Sequence, residues 1–269
     1  MADPKQTFRA FREKIAQKKL VLGMTCSTMS PVVVEIIGHA GFDFVIVDTE
    51  VLSINPETIE NMVRAAEVTG VVPVIKLKDN DPIIISDAMN TGAPIIKIPH
   101  ACSAEDLKRG IDATYFHPRG TRGLCTVSRA NKYAQGKMTD LIEWTNKETM
   151  VIPIIEDKEA VDRIDELMAV PGIEMYDIGP VDLSHSYHLP PDKGFGNPEI
   201  AAALEKIVAS AEKHGKSVMT VPVLGTELTP ELAKQKLVDK GVRTIFYRTD
   251  SVILRMGTRD GLRLRELCS

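Results

Sequence analysis

The sequence predicts a (β/α)8 TIM barrel forming one domain over residues 1–269, and three observations carry that prediction. Eight short apolar runs are spread along the chain, each apolar on both sides rather than alternating, as strands buried on both faces of a parallel sheet read. Amphipathic helical patterns lie between most of them, with a recurring helix, glycine, strand punctuation that marks an αβ turn. No GxGxxG follows the first run, which weighs against the rival architecture, a doubly wound open sheet that binds dinucleotides.

The strand-like runs cover residues 20–25, 43–48, 72–77, 94–99, 150–155, 174–179, 217–221 and 243–248. Asn55-Pro56 opens a helix that runs to Thr69 and stops at Gly70, and Asp81-Pro82 opens the next, which ends at Thr91-Gly92. Ser103 has the chemistry of an N-cap for a third. Residues 116–146 form the longest connection, an elaborated loop with its own helix. Asn197-Pro198 opens a helix that stops at His214-Gly215, and Thr229-Pro230 opens one that stops at Lys240-Gly241. The Arg-rich stretch from Asp250 to Leu267 is helical in pattern and suits packing on its own barrel or on a neighbour.

Charged residues make up 26% of the chain and the net charge is −4, with no basic run, so neither nucleic acid nor a membrane surface is an expected partner. No apolar stretch approaches the ~18 residues that span a bilayer. The segment Met1-Ala2-Asp3-Pro4-Lys5-Gln6-Thr7 lacks the apolar core of a signal peptide. Cys26, Cys102, Cys125 and Cys268 are far apart and form no CxxC, which leads to the expectation of reduced thiols in the cytoplasm.

In a barrel of this kind the chemistry gathers at the C-terminal ends of the strands. Those ends carry Asp48, Thr49 and Glu50, then Lys76 and Lys78, His100, Glu156, Asp182, Thr220, and finally Arg248 and Asp250. Glu156 and Asp182 follow adjacent apolar runs, and two neighbouring carboxylates suit Mg2+ or Mn2+ with positions left open for substrate oxygens. The bland alternative is that each caps a helix or pairs with an arginine. In the turn from Gly179 and Pro180 to Ser184, backbone amides can face an anion such as a substrate carboxylate; the alternative is an ordinary βα turn. Lys76 stands where a cation would stabilise a developing enolate, or where a salt bridge would cross the barrel mouth. His100 suits a proton shuttle or a rim residue. Arg122 suits a carboxylate ligand or a subunit contact, and His117, His185 and His188 lie in loops with no assigned role.

Several of these segments together resemble the HpcH/HpaI family of metal-dependent pyruvate aldolases. The resemblance rests on Ala40 to Glu50 (AGFDFVIVDTE), Asn80-Asp81-Pro82, Ile98-Pro99-His100, the Ser103 to Asp106 run, His117 to Gly123 (HPRGTRG), Ile155-Glu156 and Ile178 to Ser184 (IGPVDLS), in that order and spacing. It implies a (β/α)8 barrel assembled as a hexamer, a trimer of dimers with exchanged C-terminal helices. It also implies a divalent metal (Mg2+, Mn2+ or Co2+) held by Glu156 and Asp182, and a reaction in which pyruvate or a related 2-oxo acid is deprotonated and adds reversibly to a second carbonyl substrate. Asp48 and Glu50 match the family pattern. Three positions depart from it: Val51 replaces a histidine, Lys76 an arginine and Ile154 a glutamine. Valine cannot move a proton, so the shuttle passes to His100, Glu50 or a metal-bound water. The expected activity is therefore carbon–carbon lyase chemistry, with a condensing, decarboxylating or cyclising enzyme as the alternative and a non-catalytic ligand-binding barrel as the third reading.

Overall fold

Every one of the apolar runs becomes a strand. The computed structural model describes residues 3–267, and among them the strands are β1 (Val21–Cys26), β2 (Phe44–Asp48), β3 (Val72–Lys76), β4 (Ile95–Ile98), β5 (Met150–Ile155), β6 (Met175–Ile178), β7 (Ser217–Thr220) and β8 (Thr244–Thr249). All pair in parallel and in sequence order, and β8 closes on β1 through Val21↔Thr244 and Leu22↔Ile245. Helices fill the connections, so both faces of each strand are covered, which is why the runs do not alternate. Cys268 lies outside the described residues.

The helix signals act as their chemistry dictates. Asn55 and Asp81 accept from backbone N–H groups of the first turns of Pro56–Thr69 and Pro82–Asn90, and Ser103 closes a capping box with Asp106 on Ala104–Thr114. Gly70 ends the first of these at φ +74°, a conformation that glycine enters without steric cost. The helix that Thr229 caps is shorter than expected: it stops at Lys236 and gives way to a 3-10 turn over Val238–Lys240 before Gly241. The long connection folds as a 3-10 turn at Arg129–Asn131 and a helix at Met138–Glu148.

The sequence reading assigned no element to the N-terminus, yet Pro4–Ala16 is a helix capped by Asp3. Its Phe8 and Phe11 join the barrel interior, packing with Val21, Phe44, Ile46, Val72, Val74, Ile95, Ile152 and Met175. Arg12 reaches Glu148 and Glu174, and Lys14 reaches Asp43, three acidic residues that stand just before β5, β6 and β2. The helix therefore plugs the N-terminal end of the barrel, and the C-terminal end is left open for chemistry. Asp250–Leu267 is helical as expected, with Ile253, Leu254, Met256 and Leu262 exposed. Among the described residues no helix is long and apolar enough to cross a membrane.

Candidate active site

Strand register brings the charges together. Asp48, the last residue of β2, is paired in register with Lys76, the last of β3, and Lys76 with Lys97 of β4, so all three leave the same face of adjacent strands. Beyond β2, Thr49 donates both its N–H (3.0 Å) and its hydroxyl (2.6 Å) to the Lys76 carbonyl, while the Glu50 N–H donates to Asp48 Oδ1 at 3.0 Å. These bonds fold the chain back over the barrel mouth, where Glu50 forms an ion pair with Lys76.

Next around the barrel, β4 and β5 supply His100 and Glu156. His100 has a φ of +48° and donates its backbone N–H to Glu156 Oε1 at 2.8 Å. Its Nδ1 stands 3.1 Å from Asp157 Oδ2 and its Nε2 3.8 Å from Glu50 Oε1. Ligand atoms of Glu50, His100 and Glu156 all lie within 4.8 Å of one another.

The electrostatics follow from burial and charge. Glu156 is 1% exposed, and that burial pushes its carboxyl up to about 7, against the pull of the His100 N–H and of Lys76. Burial disfavours the Lys76 ammonium, but the bond to Glu50 and the fields of Asp48, Glu50 and Glu156 outweigh it and hold the group above its ordinary value. His100 is likewise raised: burial opposes its charge, while Asp157, Glu156 and Glu50 favour it.

Asp182 lies on the short helix Pro180–Ser186 and is exposed; among the described residues its carboxylate makes no hydrogen bond or ion pair. The turn that delivers it is pressed against Glu156. A Cβ at Gly179 would stand 2.9 Å from Glu156 Oε2, so glycine admits the close approach. Pro180 and Ser184 are buried, and the Ser184 hydroxyl donates to the Pro180 carbonyl at 2.6 Å, bracing the turn from beneath.

This donor set fits a hard divalent cation. It is rich in carboxylate oxygen, it includes a buried carboxylate that lacks full compensation for its charge, and an exposed carboxylate stands on the adjoining turn. Arg122 does not join the cluster within this chain. It is buried near the N-terminal end of the strands, donating to Asn90 Oδ1 at 2.7 Å and lying 4.7 Å over the Phe116 ring, with burial lowering its guanidinium to about 10. Lys78 is exposed, facing away.

Sequence reasoning overlooked three participants. Asp157 orients His100 and accepts from Cys102 Sγ at 3.3 Å, and burial together with Asp157 pushes that thiol up to about 12. The other two are Lys97 and Asp177, paired inside the barrel at 2.5 Å. Each had a visible signal, a lone charge within an otherwise apolar strand (Ile95-Ile96-Lys97-Ile98 and Met175-Tyr176-Asp177-Ile178).

Known proteins are similar to this chain in sequence and in fold. A pyruvate aldolase of Rhizobium etli is 29% identical over 206 residues, 77% of this chain and 80% of its own length. A 5-keto-4-deoxy-D-glucarate aldolase of Klebsiella pneumoniae is 27% identical over 251 residues, 93% of each chain. Among solved structures, a citrate synthase matches with a TM-score of 0.82 at 27% identity, covering 95% of this chain and 96% of that one. An HpcH/HpaI family protein of Burkholderia cenocepacia reaches a TM-score of 0.85 at 23% identity over 97% of this chain and 99% of its own, a likeness of fold. The family model described as HpcH/HpaI aldolase/citrate lyase matches residues 22–244, nearly the whole barrel from β1 to β8, and the chain belongs to that family.

Proposed function

We propose that this protein is a metal-dependent carbon–carbon lyase that acts through the enolate of pyruvate or a related small 2-oxo acid. The observation that carries the reading is the buried Glu156 carboxylate facing Glu50, His100 and Lys76 at the open end of the barrel. Glu156 and Asp182 would hold the cation, Mg2+, Mn2+ or Co2+, with Glu50 and His100 beside them. A divalent cation there supplies Lewis-acid polarisation of the 2-oxo group.

The chain's own groups then divide the work. The Lys76 ammonium offers a positive charge to the oxygen on which negative charge develops when the carbon beside the carbonyl loses its proton. As a single point charge it cannot form the two-pronged contact of an arginine. His100, oriented at Nδ1 by Asp157, presents Nε2 toward Glu50, and this pair replaces the histidine lost at Val51 as proton shuttle. The Gly179–Ser184 turn receives the substrate carboxylate. Asp48 holds the Glu50 backbone in place. In the cleavage direction a 4-hydroxy-2-oxo acid loses its hydroxyl proton, its C3–C4 bond breaks to give an aldehyde, and the electrons return to C3 with a proton to give the 2-oxo acid.

A second reading has one specific support. Val51 is 74% exposed at the mouth and Val181 is exposed on the turn that bears Asp182, while the buried Ile154 of β5 replaces a polar residue, so the less polar surroundings suit a bulkier or less hydrated partner, as in a condensing, decarboxylating or cyclising enzyme. The citrate synthase among the structural relatives is in keeping with it. The free thiols of Cys26, Cys102 and Cys125 support a cytoplasmic location, and the exposed apolar side chains of Asp250–Leu267 support a hexamer with exchanged C-terminal helices.

The deciding experiment is proton NMR of pyruvate in D2O with enzyme and Mn2+ or Mg2+. Loss of the methyl signal that requires metal, together with cleavage of a 4-hydroxy-2-oxo acid, is the expected result. Exchange without cleavage favours the second reading. Absence of metal-dependent exchange overturns both.

A further inference from the structure

Lys97 and Asp177 stand one residue before the C-terminal ends of β4 and β6, and each side chain is 2% exposed. Their charged atoms are 2.5 Å apart, and Lys97 Nζ also lies 4.5 Å from the centre of the Phe246 ring on β8. Side chains from alternate strands that meet in this way form one layer of a barrel core. The neighbouring interior is apolar, built from Ile46, Val74, Ile152 and Met219. Asp177 Oδ1 is buried and has no hydrogen-bond partner among the described residues. An ion pair in such a place adds little to stability, since apolar side chains of similar volume are often as good or better. Its incomplete hydrogen bonding makes it a poorer structural element still.

The pair has a charged neighbour. Lys97 and Lys76 are register partners, so two ammonium-bearing side chains start from the same face of adjacent strands, about 5 Å apart. Their charged ends are kept separate: Lys97 turns across the barrel to Asp177, and Lys76 turns to Glu50 at the mouth. We propose that Lys97 and Asp177 are a positioning pair for Lys76. Asp177 claims Lys97, which leaves Glu50 to Lys76. The buried cation keeps the Lys76 ammonium from withdrawing into the barrel. Neither member touches substrate. The catalytic meaning of this rests on the function proposed above; the placement of Lys76 does not.

The test inverts the pair. In Lys97→Asp/Asp177→Lys the buried attraction persists but a carboxylate now lies beneath Lys76. Two readouts follow: acylation of Lys76 by a succinimidyl ester, scored by peptide mass spectrometry against the exposed Lys78, and metal-dependent pyruvate proton exchange. Lys76 acylation is expected to fall about fivefold or more, because an opposite charge that close draws the ammonium down. Exchange at saturating pyruvate is expected to fall about tenfold, with Mn2+ affinity unchanged. Wild-type Lys76 reactivity in the folded variant overturns the proposal. If the inverted chain does not fold, Lys97→Met/Asp177→Leu decides, since an apolar pair keeps the core packed. There the proposal requires altered Lys76 acylation and a lower exchange kcat at unchanged pyruvate KM, whereas wild-type values for both mark the pair as merely structural and overturn it. If the wild-type enzyme exchanges no protons at all, the proposed function fails and the acylation readout still decides the positioning role.

Discussion

His100 meets Glu156 through its backbone, whose N–H donates to Oε1 at 2.8 Å from a residue with a φ of +48°, and its ring Nδ1 stands 3.6 Å from the same oxygen. A left-handed residue at the end of β4 thus steadies the buried carboxylate, and the ring is free to lie between Asp157 and Glu50. Backbone and side chain of one residue serve two purposes, and they can be separated.

Replacing His100 with glycine keeps the N–H and suits the positive φ, so relief of the left-handed backbone is expected to offset part of the stability lost with the ring's ion pairs. His100→Ala is expected to lose stability relative to His100→Gly by about 1 kcal/mol. Both variants lose the ring, and pyruvate proton exchange is expected to drop by about a hundredfold in each. Calorimetry and NMR exchange rates check the two effects. A glycine variant with full exchange activity would remove His100 from proton transfer.

The raised carboxyl of Glu156 sets a pH dependence of definite sign. Between its ordinary value of 4.5 and its folded value of about 7, the folded chain holds a proton that the unfolded chain has released. Stability of the metal-free protein therefore declines as pH rises through that window. His100 acts in the same direction: its value is raised on folding, so its stabilising contribution is complete below 6.5 and is lost as pH climbs through the higher folded value. Cation binding requires the ionised carboxylate, so affinity for Mn2+ should weaken by about tenfold per unit below about pH 7. Thermal melts of EDTA-treated protein at about pH 5.5 and about pH 7.5, with and without Mn2+, measure both slopes. A metal-free Tm that rises across that interval contradicts the assignment.

Val51 gives the most direct probe of divergence. It directly follows Glu50 and is exposed at the mouth, so a histidine there has room. Val51→His is expected to raise cleavage of a 4-hydroxy-2-oxo acid by about tenfold to a hundredfold, the scale of a restored general acid–base. Steady-state kinetics with coupled detection of pyruvate measures it. No gain is the result expected if His100 and Glu50 already move the proton in the absence of a histidine at 51.

The barrel interior offers a test of packing. A Cβ at Gly23 would stand 2.4 Å from the Phe44 ring, which also meets Phe11 edge-on at 6.0 Å between centroids. Gly23→Ala should destabilise by about 1–3 kcal/mol through overpacking. Gly23→Ala/Phe44→Leu should recover part of that loss, because the smaller side chain vacates the contested space. Urea denaturation of the two variants gives the coupling between them.

Much of the fold and part of the site are legible in the sequence. Strand runs, Asn55, Asp81 and Ser103 as caps, and Gly70 as a stop all express short-range rules, and each stands where those rules put it. The N-terminal helix was overlooked because Phe8 and Phe11 form a short apolar stripe whose partner, the barrel interior, lies elsewhere in the chain. Arg122 drew attention through its motif, but its surroundings, Asn90 and Phe116, are set by how the long connection packs beneath the barrel.

By itself the sequence determined the eightfold alternation, the parallel sheet and the row of polar residues at the strand ends, because hydrophobic period and turn chemistry act over a few neighbouring residues. Only closure of the barrel decided which of those residues meet. His100 and Glu156 are 56 positions apart, and it is strand register that brings them into contact. The same register sets Lys97 beside Lys76 and leaves the pairing of Lys97 with Asp177 to the width of the barrel. Proximity across a closed sheet depends on every strand at once, so no local stretch of sequence encodes it.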